Sequence, residues 1–149
     1  MERMVHYEAA DFNRKDLLRA KGGRRVFVVF STFGEREAGL IHDKIAVLKK
    51  ELAGYIDGIL VSHRRAGDTE EQTERRARDA WDRVEVLVCN GYAVPDMGDE
   101  RGKGADMRRA LYHINTSWKQ GASARDVVVV FLDADGQDGP IPADAGEPQ

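Results

Sequence analysis

Four short apolar runs, separated by three stretches of helical periodicity, constrain this chain more than any other feature. The runs are "RVFVVFST" (Arg25–Thr32), "IDGILVSH" (Ile56–His63), "VEVLVCN" (Val84–Asn90) and "DVVVVFLDAD" at 126–135. They are short, β-branched or aromatic, and largely apolar at both parities, which predicts strands covered on both faces. Between the first two, Ile41, Ile45, Leu48 and Leu52 recur at helical spacing over Ala38–Leu52, and Gly54 stands where a C-cap glycine would. A second helix is predicted to open at Asp68, with Glu71 three residues on completing a capping box. Thr73, Ala77 and Ala80 form its narrow apolar side. A third helix carries Met107, Ala110 or Leu111, Ile114 and Trp118 on one face. Strands alternating with helices give, through right-handed crossovers, a parallel sheet with helices on both sides. Such α/β sheets bind ligands beyond the carboxyl ends of their strands. Every run here ends in polar residues that converge there: Ser31 and Thr32, Ser62 and His63, Asn90, and Asp133 with Asp135.

Composition narrows the class. With 149 residues the chain is long enough for one buried core, and a net charge of −3 offers no basic footprint for nucleic acid and no polybasic membrane anchor. Its single cysteine, Cys89, fits a reducing compartment, and no apolar run approaches the roughly 18 residues of a membrane span. The reading is a soluble, cytoplasmic protein. Residues 1–24 are polar and read as a leader, residues 25–136 as the α/β domain. Residues 137–149, rich in Gly, Pro, Asp and Ala, read as a disordered tail.

Two segments carry the most chemistry. Asp133 and Asp135, one residue apart where a valine-rich strand ends, suit a hard cation such as Mg²⁺ or Mn²⁺, or a division of labour between a metal and a ribose hydroxyl. "ERGKGADMRRAL" (Glu100–Leu111) puts Lys103 between two glycines before a helix, where backbone N–H groups and the helix dipole favour phosphate. A Walker A loop needs Ser or Thr after the lysine; Gly104 stands there instead, which argues against a P-loop NTPase. Elsewhere, "FSTFGEREAG" (Phe30–Gly39) offers Glu35 beside a strand end. The four histidines show no metal-ligand spacing, and Cys89 reads as a small buried hydrophobe.

In order, these segments resemble the nucleotide-sugar-binding half of a GT-A fold glycosyltransferase, a Rossmann-like three-layer fold. "FSTFGERE" resembles the strand and Pro-x-x-Asn-Glu opening of that family with only Glu35 kept. "VSHRRAGDTEEQT" resembles its second acidic motif in part, through Asp68-Thr69. "RGKGADMRRAL" and "VVVVFLDAD" resemble its Gly-Lys-Gly segment and Asp-x-Asp strand. The Gly-Lys-Gly form is most similar to the glucosyl- and mannosyl-3-phosphoglycerate synthases. The resemblance implies that Ser31, Thr32, Glu35, Ser62, Asp68, Lys103 and Asp133 bind a UDP-, GDP- or ADP-sugar. It also implies that Asp135, with Asp133, holds Mg²⁺ or Mn²⁺. After the Asp-x-Asp motif no acceptor half is recognisable, so the fold reads as truncated there, and transfer of the sugar needs both reactants held together.

Three functions are therefore in play. One is a metal-dependent glycosyltransferase, or its donor-binding half. A nucleotidyltransferase shares the sheet and metal, but "STFGEREAG" is a poor version of its Gly-rich loop. The third is a non-catalytic module whose open sheet edge is covered by a partner such as a second copy of the chain.

Overall fold

The computed structural model describes residues 24–118 and 126–134. In chain order the elements are β1 (Arg25–Phe33), α1 (Ala38–Leu52), β2 (Gly58–Arg64), α2 (Gln72–Ala80), β3 (Val84–Val88), α3 (Lys103–His113), a π-helical turn (Ile114–Trp118) and β4 (Val127–Asp133). The four strands form one all-parallel sheet in the order β3-β2-β1-β4. The fold is therefore α/β with crossover helices.

Side-chain parity divides the core. Val26, Val28 and Phe30 of β1, Ile59 and Val61 of β2, and Val128 and Val130 of β4 face Ile41, Ile45, Leu48 and Leu52 of α1 and Ala77 and Ala80 of α2. The alternate residues Phe27, Val29, Leu60, Val127, Val129 and Phe131 pack on Ala110 and Ile114 from α3 and its π-turn. Both layers are thus supplied by the same strands, which is why the runs read as continuously apolar rather than alternating. At the amino ends of the strands, Trp118 stacks edge-on against Phe27 with ring centroids 5.0 Å apart. A Cβ at Gly58 would come within 3.0 Å of the Trp118 ring, so glycine there permits the ring to close that end of the sheet.

Three local expectations are corrected. Asp68 does not cap α2. The N-cap is Glu71, in extended backbone (φ −114°, ψ 161°), and the capping box is Glu71 with Glu74. Gly54 does not adopt a left-handed C-cap; α1 ends at Leu52, and its C-cap is Ala53 in right-handed helical geometry. β2 starts at Gly58 rather than Ile56, whose buried side chain belongs to the preceding turn. Residues 1–23 of the leader, the tail and Asp135 lie outside the described residues. No described helix is long and apolar enough to cross a membrane.

Candidate functional site

The chain steps from β1 outward to β2 and β3, then crosses back over the sheet to β4 on the other side of β1. The strand order therefore reverses between β1 and β4, and loops leaving those two strands diverge. A crevice at the carboxyl ends is the geometric consequence. The cleft found there has a volume of about 660 Å³. Ser31, Thr32, Ser62, Asp68, Lys103 and Asp133, all expected from the sequence, line it. Phe33, Glu37, Arg64, Arg65, Asn90, Arg101 and Asp106 line it as well. Glu35 is not among the lining residues; its Oε2 accepts the Gln72 N–H at 2.9 Å, at the first turn of α2.

On the α3 side the cleft is open and charged. Gly102 has φ +113°, a conformation that disfavours any side chain, and from it α3 starts at Lys103 with no side-chain cap. The uncapped first N–H groups of the helix add positive potential to the lysine. Lys103 Nζ donates to Asp133 Oδ1, and both side chains are about half exposed. Lys44 of α1 donates to the Asp133 backbone oxygen at 2.8 Å, fixing the tip of β4 from the other face. Register places Asp133 beside Ser31 and Ser31 beside Ser62, so the three strand ends lie in one row.

Beneath this row sits a buried charge cluster. Asp106 accepts from Arg64 (Nη2 at 2.8 Å, Nε at 3.2 Å) and from Arg109 (Nη1 at 2.8 Å), while Ser62 Oγ donates to the Asp106 carbonyl at 3.0 Å. The hydrogen bond that Arg64 donates to Asp106 raises its pKa against its partial burial. Arg109 also donates to the Tyr92 carbonyl at 3.1 Å, tying the loop after β3 to α3. The i, i+3 pairing of Asp106 with Arg109 is visible in sequence; Arg64, 42 residues away, is not. Cys89 packs against Ser62 with Sγ 3.1 Å from Oγ. Burial pushes its thiol up to about 11, the behaviour of a structural rather than a nucleophilic cysteine.

On the α2 side the polar groups are sealed. His63 is fully buried, with Nδ1 2.7 Å from Thr32 Oγ1 and Nε2 2.8 Å from Glu71 Oε1. Glu74, also fully buried, accepts from Arg65 Nε at 2.6 Å and Nη2 at 2.8 Å, and from the Glu71 N–H at 3.1 Å. Burial pushes the Glu74 carboxyl up, but the Arg65 and Glu71 hydrogen bonds outweigh it and hold the group below the usual carboxylate value. Histidine spacing in the sequence gave no hint of this cluster.

His63, Glu71 and Glu74 each bring a ligand atom within 4.8 Å of the others, a spacing that could hold a divalent cation. The donor set fits an ion poorly. Glu74 already holds a guanidinium on both oxygens, and Glu71 Oε2 accepts the Ala66 N–H at 3.1 Å. A cation would have to displace partners that satisfy buried carboxylates.

No protein-family model and no curated protein sequence matches the chain. Solved structures do. The chain is similar to a glucosyl-3-phosphoglycerate synthase of Mycobacterium tuberculosis, at 25% identity and a TM-score of 0.48 over 73% of this chain and 37% of that one. A second structure of that synthase from the same organism, in complex with phosphoglyceric acid, aligns at 24% identity and a TM-score of 0.47, over 74% of this chain and 36% of that one. A structure described as a mycobacterial protein aligns at 28% identity and 0.46, over 70% of this chain and 31% of that one. The chain thus spans about a third of the length of these structures.

Proposed function

We propose that the cleft binds the diphosphate and nucleoside of a UDP-, GDP- or ADP-sugar, and that this chain is the donor-binding half of a glycosyltransferase. The observation that carries the reading is the Lys103–Asp133 pair across the switch point, set at the uncapped start of α3. One partner supplies a cation and helix N–H groups for phosphate, the other a hard carboxylate oxygen. Two of the arginines at the cleft are neutralised internally, Arg64 by Asp106 and Arg65 by Glu74, and so serve as scaffold.

The half-exposed Asp133 carboxylate has the chemistry for Mg²⁺ or Mn²⁺, and Asp135 is assigned as the second ligand. A bound cation would supply Lewis-acid stabilisation of the departing diphosphate. Lys103, released from Asp133, would then follow the phosphate charge. Ser31, Thr32, Ser62 and Asp68 line the cleft; in this reading the hydroxyls would meet the ribose or phosphate and Asp68 the nucleoside. The Glu35 carboxylate, bound to the α2 terminus, keeps the base-side loop in place. We assign the protein to the reducing interior of the cell, in keeping with its buried free thiol.

Calorimetric titration with UDP, GDP and ADP, each with and without Mn²⁺, tests this reading. One nucleotide is expected to bind, and to bind more tightly with the metal; a folded protein that binds none of them would sink it.

A second reading, a self-assembling module, is favoured by β4. Among the described residues it pairs with β1 alone, although Val127–Phe131 are all buried. Sedimentation separates the two: a dimer without nucleotide affinity supports the module.

A further inference from the structure

We propose that His63 is a positioning residue whose charge state decides what Thr32 offers the cleft. The inference rests on the donor-binding reading for its ligand, but not for its geometry. Thr32 lines the cleft while its hydroxyl sits 2.7 Å from His63 Nδ1. The other ring nitrogen, Nε2, faces Glu71 Oε1 at 2.8 Å and Glu74 Oε2 at 3.7 Å. Both glutamates accept backbone N–H groups, and Glu74 accepts a guanidinium, so both present acceptor oxygens here. Only an Nε2–H can face Glu71 favourably.

The Nδ1 atom then has two states. A neutral imidazole presents a lone pair, takes the Thr32 hydrogen, and leaves Thr32 as an acceptor toward the cleft. An imidazolium donates to Thr32 Oγ1, and the threonine hydrogen is free to turn toward an anionic oxygen. Charge favours the second state when a ligand oxyanion is present. His63 and Arg65 against Glu71 and Glu74 make two cations for two anions, where a neutral ring leaves one buried negative charge in excess. Binding of a phosphate oxygen at Thr32 therefore takes up a proton at a residue that never touches the ligand.

The groups facing His63 are few. Thr32 comes from β1, Glu71 and Glu74 from α2, and Arg65 from the β2 exit through Glu74. Just after β3 the Cys89 backbone N–H donates to the His63 carbonyl at 2.8 Å; the Cys89 thiol bonds Ser62 on the opposite face and stays neutral below about 11. Among the described residues no hydrogen bond or ion pair joins α1 to His63. The ring thus joins the Thr32 hydroxyl to the buried charges of α2 through its two nitrogens.

Two measurements on the full chain test the relay. Without ligand, ring-nitrogen NMR from about pH 5 to about pH 9 reads the state directly. A neutral ring is expected as the Nε2–H tautomer alone, and a charged ring with its Nδ1–H directed at Thr32. An Nδ1–H tautomer, or a single unchanged state throughout, overturns the proposal. With ligand, UDP-glucose, GDP-mannose and ADP-glucose are useful probes, because the charge of their diphosphate does not change across this range. Affinity is expected to be about tenfold higher at the acid end, as for a gained charge-assisted hydrogen bond. Thr32→Val should lose both affinity and slope while remaining folded, and Thr32→Ser should restore them. An equal slope in Thr32→Val means that the proton is not delivered through Thr32, and the relay fails. Absence of binding by all three at every pH counts against the donor reading, while the ring-nitrogen spectra still decide the relay.

Discussion

The two walls of the cleft use the same residue types to opposite ends. On the α2 wall, His63, Glu71, Glu74 and Arg65 are nearly all buried, and every carboxylate oxygen named there already accepts a hydrogen bond. On the α3 wall, Lys103 and Asp133 pair in the open, about half exposed. A sealed network fixes the backbone, because removing one member strands the others without water. An exposed pair contributes little to stability and can exchange its partner for a ligand. Satisfied burial therefore marks the groups that hold the site in place, and half-exposure the pair that can exchange its partner for a ligand, even where the charges look alike in sequence.

Breaking the α2 wall should have the largest effect. Glu74→Ala removes the capping-box partner of Glu71 and strands Arg65, so urea unfolding should show a loss of about 3 kcal/mol. Next comes Asp106→Asn under the cleft floor. Two arginines lose their counter-charge, Arg109 almost completely buried, and about 2 kcal/mol should be lost in the same assay. A change below half a kilocalorie in either variant would mean the clusters are not structural. Lys103→Ala is the contrast: its unfolding midpoint should stay within about 0.5 kcal/mol of the parent, while nucleotide affinity drops roughly tenfold. A large stability loss there would make Lys103 scaffold too, and the comparison would collapse.

Acid unfolding sharpens the difference further. The Glu74 carboxyl lies below its ordinary value of 4.5, so its contribution is fully present above that value and is lost as pH falls through its lower folded value. Glu74→Gln should flatten that limb of the stability curve relative to the parent, and an unchanged acid limb contradicts the sign. The smallest effect is expected at Cys89. A thiol pushed to about 11 and fully buried should alkylate at pH near 8 only after unfolding; rapid labelling of the folded chain would contradict that environment.

Much of this organisation is legible in the sequence. β-branched runs and the Ile41–Ile45–Leu48–Leu52 stripe lead to the sheet and to α1 because burial on two faces or one leaves different periods. The polar ends of the strands lead to the cleft because parallel strands bring their carboxyl ends to one pole. The cap of α2 departs from the sequence expectation for a local reason. Asp68…Glu71 and Glu71…Glu74 both fit the capping-box spacing, and aspartate is the commoner cap. What selects Glu71 is His63, a partner supplied by β2 that no local rule contains. Arg64–Asp106 escaped in the same way, since it joins residues from two elements across the sheet.

The most direct test of the central claim follows Mn²⁺ as a paramagnetic probe in amide NMR, with and without a nucleoside diphosphate. Broadening should centre on Asp133, Ala134 and Lys103, and strengthen when the nucleotide is added. Broadening centred on His63, Glu71 and Glu74, or no nucleotide dependence at all, would contradict the assignment of the α3 wall as the donor site.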